Sequence, residues 1–297
     1  MSAWLSGILV PIVTPCDRQE NLKLDLLDSL ADELLKKPVQ GLYICGGTGD
    51  GGQLTLDERR QVSRLLLPKL KRARKTAIVH VGQVNLRAAV SLAEHAGSLG
   101  ADAVAAIPPN GSWDAAGVYY RALAGTGLPV IIYYIPSLTG LRANFADIAA
   151  LLEIPGVEGI KVSDWNVFMI SQIKAAYPER RVFTGYDEML LYGLACGADG
   201  IIGTWAQIFP GLYVRIFSLV QQGEWATAHA LFKKFAAFLA ECWKYGALPV
   251  FEALMSSRGT PRCFRQPTSW PAVSIPPEVL AALDTAAAEL EAEAASW

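Results

Sequence analysis

The chain has 297 residues, 52% of them hydrophobic, which is enough for one large core or two modest ones. Its 26 basic and 28 acidic side chains leave a formal charge of -2 without a basic stripe, which argues against nucleic acid as a partner. Cys16, Cys45, Cys196, Cys242 and Cys263 are odd in number and scattered, with no C-x-x-C pair; this argues against a disulfide framework and a zinc site and points to a reducing, cytoplasmic setting.

The first stretch, MSAWLSGILVPIVTPCD, lacks a basic start and carries Pro11 and Pro15 where a signal peptide needs an unbroken apolar run, so it is read as part of the fold. Short β-favouring runs then alternate with helical spacing. GILVPIVTP precedes a helix from about Leu24 to Lys37, GLYICGG one from Leu56 to Arg72, and TAIVHVG one from Asn85 to Leu99. ADAVAAIPP leads to a helix over Asp114 to Gly125, PVIIYYIP to Asn144 to Leu152, and VEGIKVS to Asn166 to Ala176. VFTGYD precedes Glu188 to Cys196, and DGIIGTW precedes Gln207 to Gln221. No apolar run reaches the roughly 18 residues of a spanning helix, so a soluble protein without membrane contact is expected.

Eight evenly spaced strand and helix pairs imply parallel strands joined by right-handed crossovers, and they match a closed (β/α)8 TIM barrel better than an open doubly wound sheet. The barrel is expected over residues 1–223. Residues 224–297 read as a helical C-terminal extension: Glu224 to Tyr245, Leu248 to Ser257 and Pro277 to Ala295, with a Pro-rich connection from Gly259 to Pro276.

Barrel chemistry sits where the strands end. In GVEGIKVSDWN, alternation puts Gly159, Lys161 and Ser163 on one face and Ile160 and Val162 on the other. With the branched pair against the helices, Lys161 points into the barrel, where burial disfavours the charged amine and suits a Schiff-base nucleophile. The alternative is a structural lysine paired with a carboxylate. Tyr133, in IIYYIPSLTG, shares a face with Ile131 and could shuttle protons; Tyr134 faces the helices. Gly47-x-Gly49-x-x-Gly52 matches the dinucleotide fingerprint only formally, since no acidic residue follows about 20 positions on. A nest of backbone N–H groups with the Thr48 hydroxyl, holding a small carboxylate, is the better use. His80, His95 and His229 lack ligand spacing and are read as structural, with no metal. Asp187 and Glu188 either cap a helix or bind substrate.

Together GGTGD, YYIPSLTG, GIKVSD, GYDE and GADGIIGTW, in this order on these strands, resemble the dihydrodipicolinate synthase and N-acetylneuraminate lyase family of pyruvate-dependent class I aldolases. The resemblance implies a barrel, usually tetrameric, with no cofactor beyond covalently bound pyruvate. It implies that Lys161 forms the Schiff base and that the amides of Gly47 and Thr48 hold the pyruvate carboxylate. Tyr133, helped by the Thr48 hydroxyl, carries protons. By match to the lyase branch, Ser163, Gly185, Asp187, Glu188 and Thr204 line the site for the aldehyde or sugar part. The chain departs from the family pattern at several places. Gly47 replaces a Ser or Thr and Asp50 a Glu, while Leu138 replaces the arginine with which the synthase branch grips its semialdehyde and Asn110 that branch's proton-relay tyrosine. Trp205 and Ala206 replace a Tyr-Asn pair and are expected to narrow the sugar pocket. The expected activity is cleavage or formation of a 2-keto-3-deoxy acid, of the N-acetylneuraminate type among others. The alternatives are dihydrodipicolinate synthesis and a non-catalytic barrel acting as a small-acid sensor or scaffold.

Overall fold

The computed structural model describes residues 5–109, 111–260, 262–265 and 273–296. Eight parallel strands close into a barrel in sequence order: β1 (Gly7–Pro11), β2 (Gly41–Ile44), β3 (Thr76–His80), β4 (Ala103–Ala106), β5 (Val130–Tyr134), β6 (Val157–Val162), β7 (Arg181–Thr184) and β8 (Gly200–Ile201). Helices α1 (Leu24–Leu35), α2 (Leu56–Ala73), α3 (Leu86–Ser98), α4 (Trp113–Ala124), α6 (Phe145–Leu152), α7 (Phe168–Ala176), α8 (Leu190–Ala195) and α9 (Pro210–Gln221) follow the strands. The expected (β/α)8 barrel is therefore the fold.

The strands read as nearly continuous apolar runs because both faces are buried. Ile8, Val10, Leu42, Ile44, Ile160 and Val162 face the helices in one large core. Residues of opposite parity, including Leu9, Tyr43, Ile78, Ala105, Ile131, Tyr133 and Phe183, fill the barrel interior as a second. Small residues at Ala103 and Ala105 leave the interior volume to the three rings.

Each helix begins at the end of the barrel where the preceding strand stops, so its cap also anchors the loop that carries the chemistry. Thr55 and Glu58 form a reciprocal capping box at α2, Asn144 and Asp147 another at α6, and the Asn85 and Ser112 side chains cap α3 and α4. Three expected helix starts move. The stretch from Glu188 opens with a 3-10 turn at Asp187–Met189, and that from Gln207 follows a 3-10 turn at Thr204–Gln207, with α9 beginning at Pro210, where a first-turn proline loses no hydrogen bond. Helix α7 starts at Phe168 rather than Asn166. A short helix α5 (Pro136–Thr139), closed by left-handed Gly140, was not expected between β5 and α6.

Helices α10 (Trp225–Trp243) and α12 (Pro277–Ser296) pack beside α9, and α11 (Ala247–Ser257) packs against α10 and α12. Phe209 stacks edge-on with Phe235 and Phe238, and Glu291 of α12 accepts from the Gly211 and Leu212 amides at the start of α9, at 2.7 and 3.0 Å. The segment 262–265 then crosses to the β2 loop. There the Arg265 amide donates to Asp50 at 2.9 Å, and the Arg265 guanidinium grips the Glu58 carboxylate and the Gln53 and Glu20 carbonyls. Burial pushes the Asp50 carboxyl up to about 6, while Arg265 holds Glu58 down at about 2. Among the described residues, no helix is long and apolar enough to cross a membrane.

Candidate active site

The register places Tyr133 of β5 beside Lys161 of β6, and Lys161 beside Phe183 of β7. Lys161 is 5% exposed, and its Nζ lies 4.2 Å from the centre of the Tyr133 ring and 5.1 Å from that of Tyr43. Among the described residues it has no ion pair. The structural alternative, a lysine held by a carboxylate, therefore fails. What remains is a buried amine under two π faces.

Room for this amine comes from Gly185, at the end of β7. A Cβ built there would stand 2.0 Å from Ser163 Oγ and 2.7 Å from Lys161 Cε. The Ser163 hydroxyl is buried and has no hydrogen-bond partner among the described residues, so it is free to meet a ligand. Gly185 and Ser163 thus flank the lysine.

The loop after β2 forms a tight turn over Gly46 to Gly49. Cys45 and Asp50 both adopt left-handed backbone (φ 57° and 54°) and bracket Gly46 to Gly49. Thr14 Oγ1 donates to the Gly49 carbonyl at 2.7 Å, and the Asp50 amide to the Gly47 carbonyl at 3.0 Å, which hold the turn. The N–H groups of Gly47 and Thr48 make no hydrogen bond among the described residues, the state a carboxylate nest requires. A Cβ at Gly47 would meet nothing within 4 Å, so the lost family hydroxyl leaves open space.

Thr48 Oγ1 lies 2.7 Å from Thr204 Oγ1, which joins the β2 loop to the β8 loop across the mouth. Asp187 locks the second of these. Its carboxylate accepts from the Thr204 and Trp205 amides at 3.1 and 3.2 Å and from the Tyr213 hydroxyl of α9. Burial, with Glu188 next, pushes Asp187 up to about 7, against the hydrogen bonds and Lys161. Asp187 therefore makes no cap to its own turn and instead pins the next loop. Glu188 turns outward, accepting from Trp243 Nε1 at 2.7 Å. The two sit at the edge of an apolar groove of about 450 Å³ lined by Trp165, Tyr192 and Phe232.

Trp205 does not narrow the pocket. It is buried on the outer side of the barrel against Phe209, Phe238 and Phe251, because the 3-10 turn at 204–207 directs this ring into the helical layer. Leu138, in α5, is 66% exposed and puts an apolar side chain where the synthase branch has its arginine. Asn110 lies outside the described residues.

Sequence reasoning did not single out Tyr43, and it read His80 as structural. Both project into the interior around Tyr133, with ring centres 6.3 and 5.9 Å from it. His80 is fixed by the Ile107 amide, which donates to Nε2 at 3.1 Å, and burial, with Arg59 and Lys161, holds it well below the usual histidine range, hence neutral. The parity of GLYICGG, with Leu42 and Ile44 outward, was the available signal for Tyr43. No group of three or more His, Cys, Asp or Glu side chains among the described residues could hold a metal ion.

A closed barrel with a buried lysine, a tyrosine and a loop with open backbone amides at the C-terminal ends of its strands fits a lyase of the aldolase type. The chain belongs to the Dihydrodipicolinate synthetase family, whose profile it matches over residues 4–285. It is 34% identical over 236 residues to the N-acetylneuraminate lyases of Enterobacter sp. (strain 638) and Salmonella newport (strain SL254), covering 78% of this chain and 79% of each relative. Its fold matches that of wild-type Ruminococcus gnavus sialic acid aldolase with a TM-score of 0.89 at 24% identity, over 98% of this chain and 99% of the other. The 4-hydroxy-tetrahydrodipicolinate synthase of Methylacidiphilum fumariolicum SolV matches with a TM-score of 0.87 at 20% identity, over the same shares.

Proposed function

We propose that this protein is a pyruvate-dependent class I aldolase that forms a Schiff base at Lys161 and cleaves or makes a 2-keto-3-deoxy acid of the N-acetylneuraminate type. The observation that carries the reading is the buried Lys161 amine, free of any ion pair among the described residues and 4.2 Å from the Tyr133 ring. The Gly47 and Thr48 amides would hold the carboxylate of the keto acid, while Ser163, Gly185 and Thr204 line the space for the rest.

In the cleavage direction, the amine adds to the keto carbon and forms a C–N bond as the carbonyl π pair moves to oxygen. Tyr133 relays a proton from nitrogen to that oxygen. The carbinolamine then expels water, its C–O bond breaking as Tyr133 supplies the proton, which leaves a protonated imine and a phenolate. Electrons of the C3–C4 bond flow into the imine to give an enamine, while the C4 hydroxyl returns its proton to the phenolate and the aldehyde departs. Protonation at C3 and hydrolysis release pyruvate and the amine.

Synthesis of dihydrodipicolinate is less well supported, since exposed, apolar Leu138 offers a semialdehyde carboxylate nothing to bind. We take residues 1–223 as the catalytic barrel and 224–297 as its helical extension. A cytoplasmic homo-oligomer, a tetramer by family likeness, fits the five free thiols and the exposed Trp165, Phe168, Tyr192 and Trp243. Pyruvate release from a panel of 2-keto-3-deoxy sugar acids tests the reading. Turnover of at least one nine-carbon or six-carbon acid is expected; activity only with pyruvate plus an aspartate-derived semialdehyde would replace it with the synthase, and no turnover with the scaffold.

A further inference from the structure

We propose that Tyr43 acts with Tyr133 as a two-faced π clamp on the Schiff-base nitrogen, stabilising the positive charge that this nitrogen carries as a protonated imine. The inference rests on the Schiff-base reading above and adds a residue to it.

The geometry is that of a corner. The Tyr43 and Tyr133 rings stand at 90° to each other with centres 6.3 Å apart, and Lys161 Nζ lies 5.1 and 4.2 Å from the two centres. Both distances fall within the ~6 Å at which a ring's negative face attracts a cation. Tyr43 is wholly buried, and its hydroxyl has no hydrogen-bond partner among the described residues, so no such bond explains why a tyrosine ring sits here. The β2 loop is shaped to admit that ring: a Cβ on Gly46 would stand 2.4 and 2.7 Å from Tyr43 Cε1 and Cδ1.

The chemistry favours rings over a carboxylate at this point. A carboxylate beside Nζ would hold the lysine as an ammonium ion, which cannot attack the keto carbon. A ring face attracts the cation without being able to take its proton. Its attraction therefore counts where the nitrogen is obligatorily charged, in the protonated imine that draws electrons from the C3–C4 bond. Nearby His80 is buried and tied to the Ile107 amide through Nε2, and among the described residues the nitrogen that both rings face is that of Lys161.

The test replaces Tyr43, in the full-length chain, with Phe and with mono-, di- and trifluorinated phenylalanines, which keep the ring's shape while draining its negative face. Phe is expected to retain turnover within about 3-fold, and log kcat to fall in proportion to fluorination, reaching ~10- to 30-fold below Phe with three fluorines. Tyr43→Leu should fall at least as far, with KM changed less than kcat. A flat fluorination series overturns the clamp, since a ring needed only for packing would give that result. Borohydride trapping of pyruvate on the unaltered protein is run beside it. If Lys161 is trapped and the series is flat, the clamp alone is wrong; if Lys161 is not trapped, the Schiff-base reading falls and the clamp with it.

Discussion

Gly185→Ala adds one methyl group at the tightest point of the site. The new Cβ would lie 2.0 Å from Ser163 Oγ, 2.7 Å from Lys161 Cε and 3.1 Å from Ser163 Cβ, all well inside contact distance. Ser163 and Lys161 are 1% and 5% exposed, so neither side chain can swing into solvent. Overpacking of this kind costs about 1–3 kcal/mol of stability. The larger effect falls on rate, because a nucleophile displaced by ~1 Å loses on the order of 100-fold. The assay is kcat for pyruvate release together with the midpoint of urea unfolding, on Gly185→Ala and on the double variant Gly185→Ala with Ser163→Ala. The second change removes the 2.0 Å clash but leaves the one with Lys161 Cε. Stability should recover in part and rate should not. A Gly185→Ala enzyme with normal kcat would refute the packing argument, and recovery of both quantities in the double variant would show that Ser163, not the lysine, had been displaced.

Gly47→Ser restores the family hydroxyl into open space at a residue whose backbone is not left-handed, so stability by urea unfolding should change by less than about 0.5 kcal/mol; a larger loss would contradict the loop geometry. Tyr133→Phe keeps the ring over Lys161 and removes the proton carrier, so kcat should fall by roughly 100-fold or more with KM within a few-fold, and a change in KM alone would reduce the residue to a packing role. The Glu58 carboxyl, held at about 2 by Arg265 against an ordinary 4.5, contributes stability that is complete above pH 4.5 and disappears as pH falls through 2. Thermal unfolding of Glu58→Gln should therefore be less stable than the parent at pH 6 and converge with it towards pH 2; a constant difference across that range would mean that the charge is not what Arg265 stabilises.

Local rules reached far into this site. The period of two in GVEGIKVS was enough to turn Lys161 inward and Ile160 outward, and the same rule applied to IIYYIP separated Tyr133 from Tyr134. It failed for Tyr43 only because that strand was read for its loop glycines rather than its parity. What sequence could not carry were the bonds between distant strands. Asp187 pins a loop 17 residues on and meets a tyrosine 26 residues on, and Arg265 clamps Glu58 across 207 residues. Trp205 was placed in the pocket by its position after β8, yet a 3-10 turn of four residues was enough to send it outward. Helix starts slipped for the same reason, since a proline and two short 3-10 turns set them rather than hydrophobic period.

The central claim is that Lys161 is the nucleophile, and borohydride reduction in the presence of pyruvate, followed by peptide mass spectrometry, tests it most directly. The account predicts one stable adduct per chain, on Lys161 alone, absent without pyruvate and absent in Lys161→Ala that remains folded. Mapping the adduct to another lysine, or finding none while pyruvate is still released from a keto acid, would contradict it.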